Sequence, residues 1–156
     1  MRGFFRIFGA SALFGCRFHQ KAIAVSVLVC VPVYNGHDSV DRCLEALAAA
    51  RVQAPLRTLL IDDASPDQRI RPLLDRYALA NANTQVRHNA VNRGFTWNVN
   101  QAFVAARSDE HLCLLNSDTL VTDGWLDAML ACLAGDAAIG TVTPFSNNAT
   151  ICSFPD

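Results

Sequence analysis

An α/β fold, with a mostly parallel sheet covered by helices on both faces, is predicted by three features of the 156-residue sequence. Short apolar runs alternate with segments whose apolar residues recur at helical spacing. The connections between these segments are short. The composition is that of a globular domain, because 51% of the residues are hydrophobic and 17% are charged. Such an alternation folds into parallel strands joined by crossover helices.

Five strands and four helices are predicted, in alternating order. The strands are predicted over residues 25–31, 58–61, 85–88, 111–115 and 139–143. The first two are short apolar runs typical of strands that are buried on both faces of a sheet. We expect Asp38 or Ser39 to cap the first helix, and the second helix to become regular near Pro72. The third and fourth helices are predicted over residues 95–106 and 123–133, with Gly135 ending the fourth.

The spacing of apolar side chains predicts which face of each helix packs on the sheet. The first helix is expected to bury Val40, Cys43, Leu44 and Leu47. The third helix is expected to bury Phe95, Val99, Ala102, Phe103 and Ala106.

The charge and the cysteine pattern exclude several classes of protein. With 13 basic and 14 acidic residues the formal net charge is -1, and no Lys/Arg cluster follows a helix face, so we expect no nucleic-acid partner. The six cysteines include no C-x-x-C pair, which argues against a zinc site. Reduced thiols in a cytoplasmic protein are the favoured interpretation.

Residues 1–24 differ from the single domain that is predicted over residues 25–156. They carry Arg2, Arg6, Arg17 and Lys21 and no acidic residue. A signal peptide is the least favoured interpretation, since basic residues split the apolar stretch and crowd the cleavage region. A basic-aromatic segment on an anionic membrane surface and an irregular extension are equally favoured. No apolar run is long enough for a transmembrane helix.

Polar side chains follow four of the predicted strands, at the point where each strand ends. They lie in residues 32–35, 62–65, 88–94 and 116–118. Ligands of open α/β sheets bind outside the carboxyl ends of the strands, so these segments form the candidate site. The sequence has neither G-x-G-x-x-G nor a P-loop, so the phosphates of a ligand would need another partner. A divalent metal ion held by Asp118 is the natural candidate.

These four segments, in this order, resemble the motifs of family 2 glycosyltransferases. The matching residues are Val-Pro-Val-Tyr-Asn at 31–35, Leu-Ile-Asp-Asp-Ala-Ser at 60–65, Asn-Arg-Gly-Phe at 92–95 with Asn100, and Leu-Leu-Asn-Ser-Asp-Thr at 114–119. The Asn-Ser-Asp form is similar to that of transferases that build bacterial surface polysaccharide, including rhamnosyltransferase-like members. The resemblance implies a Rossmann-like, GT-A type nucleotide-binding half of a cytoplasmic enzyme, at the inner face of the membrane if residues 1–24 contact it.

The resemblance also implies a site for a nucleotide-diphosphate sugar, which is passed to a glycan or lipid-linked acceptor. Its nucleotide-binding residues would be Pro32, Tyr34, Asn35, Asp62, Asp63, Asn92, Gly94 and Asn116. Tyr34 would stack on the base, Asp63 would accept a hydrogen bond from it, and Asp62 would support the turn. Asp118 would bind Mg²⁺ or Mn²⁺ bridging the diphosphate. A helix N-terminal cap is the competing explanation for Asp62 and Asp63, and an Asx-turn is the competing explanation for residues 116–118. Plain turn chemistry is the alternative for Tyr34 and Asn35.

Two departures from the family pattern qualify this interpretation. Asn116 stands where the family carries the first acid of its D-x-D motif, which removes one negative charge from the metal site. The general base of the family is an acid well downstream, so we expect it beyond Asp156 and expect this chain to be incomplete as an enzyme. The alternative is a non-catalytic nucleotide-sugar-binding module or an inactive transferase remnant. A receiver-like domain is disfavoured, because its acidic pair follows the first strand and not the second.

Overall fold

A four-stranded parallel sheet forms the centre of the fold. The computed structural model describes residues 5–6 and 25–146, with side chains described for residues 25–146. The strands are β1 (Phe5–Arg6), β2 (Ser26–Val33), β3 (Leu56–Asp62), β4 (Thr84–His88), β5 (Glu110–Leu114) and β6 (Thr119–Leu120). The helices are α1 (His37–Ala49), α2 (Ile70–Ala80), α3 (Phe95–Ala105) and α4 (Trp125–Ala134). The order in the large sheet is β4-β3-β2-β5, and every pairing is parallel.

Helices cover both faces of this sheet, as predicted. The alternate side chains of β2 point to opposite faces, so Val27, Val29 and Val31 join one core while Leu28 and Cys30 join the other. The first core is completed by α1, α2 and α4, and the second by α3. Because both faces are buried, β2 is a nearly continuous apolar strand, and this explains the sequence signal that predicted it.

Helix α1 buries the predicted face, but its start differs from the prediction. Val40, Cys43, Leu44 and Leu47 are its buried residues. The N-cap is Gly36, and no side chain caps the helix, so the prediction of an Asp38 or Ser39 cap is wrong. Gly36 has φ +73, a left-handed conformation that glycine adopts without steric cost, and the chain turns into the helix there.

Helix α3 is oriented differently from the prediction. Its buried residues are Asn98 and Ala102, whereas Phe95 is 57% exposed and Phe103 is 63% exposed. Apolar residues occur on several sides of this helix, so their spacing does not select one face. The orientation is set by Asn98, whose side-chain oxygen accepts a hydrogen bond from Asn89 at 2.9 Å.

The strand predicted over residues 139–143 is absent from the described part of the chain, where these residues have no regular structure. Ile139 is 37% exposed and the rest of residues 139–143 are exposed or half-buried, so this apolar run is not packed in either core. The additional pairing is instead made by two short strands, since Phe5 and Arg6 of β1 pair in parallel with Thr119 and Leu120 of β6. Among the described residues no helix is both long and apolar enough to cross a membrane.

Candidate functional site

The carboxyl ends of β2, β3, β4 and β5 lie at one edge of the sheet, because all four strands are parallel. The polar segments that follow these strands therefore share that edge. The first three segments are joined to one another by hydrogen bonds between side chains and backbone. The fourth, residues 115–118, is joined to the rest mainly through its backbone, where the Leu115 N–H donates to the Cys30 carbonyl at 2.9 Å.

The turn after β2 is held against the turn after β3. Asn35 has φ +57, an uncommon conformation for a residue other than glycine. Its N–H donates to the Ser65 hydroxyl oxygen at 3.0 Å, and its side-chain oxygen accepts the Asp67 N–H at 3.1 Å. The neighbouring Tyr34 is 52% exposed, while Pro32 lies within β2 and is partly exposed. This turn thus presents an aromatic ring to solvent on a fixed backbone.

Asp62 is the last residue of β3, and its carboxylate is used entirely within the protein. One oxygen accepts the Ser65 N–H at 2.9 Å, which closes the turn of residues 62–65. The other lies 3.0 Å from the Nδ1 atom of His88, and the Nε2 atom of His88 lies 3.0 Å from the Asp75 carboxylate. These contacts hold the turn of residues 62–65, and a contact of Asp62 with a nucleotide stays a prediction.

Asp63 is 3% exposed, and it organises the segment after β4. One carboxylate oxygen accepts the Asn89 side-chain amide and the Arg93 N–H, each at 2.8 Å, and the other accepts the Gly94 N–H at 2.8 Å. Burial raises the pKa of Asp63, but the hydrogen bonds from Arg93, Asn89, Gly94 and Asn98 outweigh it, so the pKa lies below its ordinary value of 3.8. The base contact predicted for Asp63 stays a prediction, and most of the acceptor capacity of the carboxylate is already in use.

Gly94 occupies a backbone conformation that only glycine adopts readily, with φ 84 and ψ 164. An added Cβ atom would meet nothing within 4 Å, so the backbone here faces open space. The Asn92 side-chain oxygen accepts the Gly94 N–H at 3.0 Å, which further fixes the segment. The Arg93 guanidinium lies 5.9 Å from the ring centroid of Trp97, which is 38% exposed.

The segment after β5 carries a carboxylate, that of Asp118, which the described part of the chain does not use. Asn116 is exposed and Asp118 is partly exposed, and no hydrogen bond or ion pair joins the Asp118 carboxylate to another residue of the described part of the chain. The Cys43 thiol donates to the Asn116 carbonyl at 3.6 Å. Burial raises the pKa of Cys43 to about 12, so this thiol stays protonated and is not a thiolate ligand.

A complete metal cage does not exist in residues 25–146, where no three His, Cys, Asp or Glu side chains form a group that could hold an ion. The donor set that is present, one carboxylate at Asp118 and one amide oxygen at Asn116, still fits a particular kind of site. Mg²⁺ is commonly bound through one or two carboxylates together with the phosphates of a substrate. The residues therefore fit a metal ion that is held jointly with a diphosphate.

Three residues of this edge were not singled out from the sequence. His88 and Asn89 lie in the polar segment 88–94 but have no individual role in the sequence analysis, and Asn98 has none either. Asn98 could have been noticed in the sequence, because it is a polar residue between Phe95 and Ala102 on the helix face that was predicted to be buried. A polar side chain on a buried helix face needs a hydrogen-bonding partner, and this one has Asn89.

Comparison with known proteins identifies the family. Residues 28–152 match the family described as Glycosyl transferase family 2, which is most of the chain. Among curated proteins, none matches this sequence significantly.

Solved structures share the fold. One is the mannosyltransferase PcManGT from Pyrobaculum calidifontis in complex with GDP-Man and Mn²⁺, with a TM-score of 0.65 and 21% identity over 75% of this chain and 34% of that chain. Another is S. aureus TarS 1-349, with a TM-score of 0.57 and 22% identity over 70% of this chain and 32% of that chain. The chain thus spans about a third of the length of these structures.

Proposed function

The chain belongs to glycosyl transferase family 2, and from this premise we propose that its carboxyl edge binds the nucleotide-diphosphate sugar donor of a transferase. One observation carries the proposal. Three successive segments of the edge are fixed by mutual hydrogen bonds, and this fixed frame leaves Tyr34 and the Gly94 backbone open to solvent. A preorganised frame with a few exposed recognition groups is typical of small-molecule sites.

We assign the nucleotide to the side of the edge formed by β2, β3 and β4. The Tyr34 ring offers a stacking surface for the base, and base–aromatic stacking contributes about 1–3 kcal/mol per base. Pro32 and Asn35 shape the turn that holds the ring, and Asn92 and Gly94 form the opposite wall. Asp62 and Asp63 act mainly by holding these turns in place.

We assign the diphosphate and its metal ion to Asn116 and Asp118. The Asp118 carboxylate accepts no hydrogen bond from residues 25–146, so with respect to these residues its acceptor positions are open to a cation. A bound Mg²⁺ or Mn²⁺ would stabilise negative charge on the departing nucleoside diphosphate. Since this pair supplies only one charge, we expect metal binding to depend on the nucleotide.

We further propose that the donor sugar passes to a glycan or lipid-linked acceptor in polysaccharide biosynthesis, on the cytoplasmic side of a membrane. The basic and aromatic composition of residues 1–24 suits contact with anionic lipid. Inverting transfer also requires a general base for the acceptor hydroxyl, and we assign this role to none of the residues 25–146. A nucleotide-sugar-binding module without transfer is therefore the alternative function. Release of free nucleoside diphosphate only in the presence of acceptor distinguishes the two.

Calorimetric titration with UDP, GDP and TDP, each with and without Mn²⁺, tests the donor site. We expect one nucleotide to bind, and binding to be strongest with the metal. Asp118→Ala should abolish the metal dependence, and Tyr34→Ala should weaken binding of the nucleotide itself. Asp109→Ala is the matched control, because Asp109 is an exposed aspartate that precedes β5 at the opposite edge. Failure of a folded sample to bind any of the three, or equal losses in Asp109→Ala, would overturn the assignment.

A further inference from the structure

We propose that His88 is a positioning residue of the nucleotide site, through which helix α2 holds the turn of Ser65 after β3 and, through Ser65, the turn of Asn35 after β2. This inference rests on the proposed function, because the turn of Asn35 is assigned there to the nucleotide. Within residues 25–146, no hydrogen bond or ion pair joins His88 to Tyr34 or Asn35.

His88 bridges two elements through both of its ring nitrogens. It is the last residue of β4 and pairs with Asp62 in the parallel ladder, so the two side chains start from adjacent backbone positions. Nδ1 lies 3.0 Å from Asp62, and Nε2 lies 3.0 Å from Asp75 in the middle of α2. The His88 side chain is 14% exposed and the Asp62 side chain 6%, whereas the Asp75 side chain is 52% exposed.

The two contacts of His88 depend on which of its ring nitrogens carry a hydrogen. An ionised carboxylate only accepts hydrogen bonds, so each contact needs a hydrogen on the ring nitrogen that faces it. Both contacts form together when each ring nitrogen carries a hydrogen and donates it to the carboxylate that it faces. A glutamine or phenylalanine at position 88 cannot place two opposed ring nitrogens beside the two carboxylates.

The position of Asn35 depends on this bridge through a continuous chain of hydrogen bonds. The second oxygen of Asp62 accepts the Ser65 N–H at 2.9 Å, and the Ser65 hydroxyl accepts the Asn35 N–H at 3.0 Å. Asn35 has φ +57, a left-handed conformation that asparagine adopts more readily than most residues with a Cβ atom, and its N–H bond to Ser65 holds the backbone there. Loosening Asp62 therefore frees Ser65, and with it the backbone next to Tyr34.

Two variants and a control test the proposal. In His88→Gln we expect the affinity for whichever nucleotide the unmodified protein binds to fall about three- to thirtyfold, the range of couplings carried by such networks. Asp75→Asn alters only the half-exposed end of the bridge, so it should fold normally and show a smaller loss. The double variant should be no weaker than His88→Gln, because both changes act on one chain of contacts. His111→Gln, at an exposed histidine of β5, should bind like the unmodified protein.

Amide signals in ¹H–¹⁵N spectra of the free proteins provide the readout that a purely stabilising role would not change. The signals of Ser65 and Asn35 should shift in His88→Gln and Asp75→Asn, whereas that of Leu115 at the end of β5 should not. Lower thermal stability with unchanged affinity and unchanged Ser65 and Asn35 signals would overturn the proposal. If the unmodified protein binds no nucleotide, the proposed function fails. The amide signals of Ser65 and Asn35 then decide alone whether His88 fixes the backbone at these two residues.

Discussion

The acidic side chains after β3 and after β5 differ in how the protein uses them. Asp63 is buried and accepts hydrogen bonds from Asn89, Arg93 and Gly94. Asp118 is partly exposed and accepts none from the described part of the chain. Both follow an apolar strand at the same edge of the sheet, so the sequence presents them as equivalent.

This difference separates residues that build a site from residues that are available to a ligand. A carboxylate whose acceptor positions are occupied stabilises the surrounding turns and has little left to offer a ligand. A partly exposed carboxylate with unused acceptor positions lowers the stability of the fold only slightly, and it can bind a cation. Acidic residues at a candidate site are therefore best ranked by their unused acceptor capacity.

The largest expected effect is on stability. Asp63→Ala should lower the free energy of unfolding by about 3 kcal/mol or more, because two backbone N–H groups and an Asn amide lose a charged acceptor. Asp118→Ala should change it by less than about 0.5 kcal/mol, as surface substitutions usually do. Urea unfolding of the two variants measures both values. Similar losses in the two variants would show that the contrast between the two carboxylates is wrong.

Gly94→Ala should destabilise the segment after β4 by about 2 kcal/mol, since an L-residue at φ 84 and ψ 164 is strained. The added methyl group meets nothing within 4 Å, so the cost is conformational and not steric crowding by neighbours. Thermal unfolding measures the loss, and Gly140→Ala, where φ is not in the left-handed region, is the matched control. A loss in Gly140→Ala as large as that in Gly94→Ala would contradict the backbone explanation.

The contribution of Asp63 should also depend on pH. Its pKa in the folded protein lies below the ordinary value of 3.8, so its stabilisation is complete above that value and is lost as the pH falls through the folded-state pKa. As the pH falls, the difference in unfolding free energy between the unmodified protein and Asp63→Ala should therefore become smaller. The Arg57 guanidinium lowers the pKa of Glu110 to about 2, but this pair is present in both proteins and cancels in the difference. A difference in unfolding free energy that stays constant as the pH falls would contradict the role of the ionised carboxylate.

The smallest expected effect is a gain. Ala64 has φ +56 between Asp63 and Ser65, a conformation that costs a residue with a Cβ atom about 1 kcal/mol. Ala64→Gly removes this cost but makes the unfolded chain more flexible, so the net gain should be about 0.5 kcal/mol. Urea unfolding measures it, and Ala82→Gly, an exposed loop position without positive φ, should show no gain. Destabilisation by Ala64→Gly would indicate that the methyl group itself is needed.

The fold was largely predictable because its strongest signals are local. The valine-rich β2 and the apolar stripe of α1 were both identified from residues close together in sequence. The helix α3 was predicted, but the face that it turns toward the sheet was not. Apolar residues surround this helix, and a hydrogen bond to Asn98 decides which side faces the sheet. The strand predicted over residues 139–143 was also wrong, because an apolar run does not by itself specify a pairing partner, and these residues are exposed or half-buried.

The sequence by itself determined the parallel alternation, and hence that the polar segments after β2, β3, β4 and β5 share one edge. Only the tertiary structure decided how each polar group at that edge is used. The partners of Asp63 lie 26 to 31 residues away along the chain, and those of Asp62 include His88 on the next strand. Hydrogen bonds depend on distances of about 3 Å and on direction, and no local pattern in the sequence encodes these over such separations.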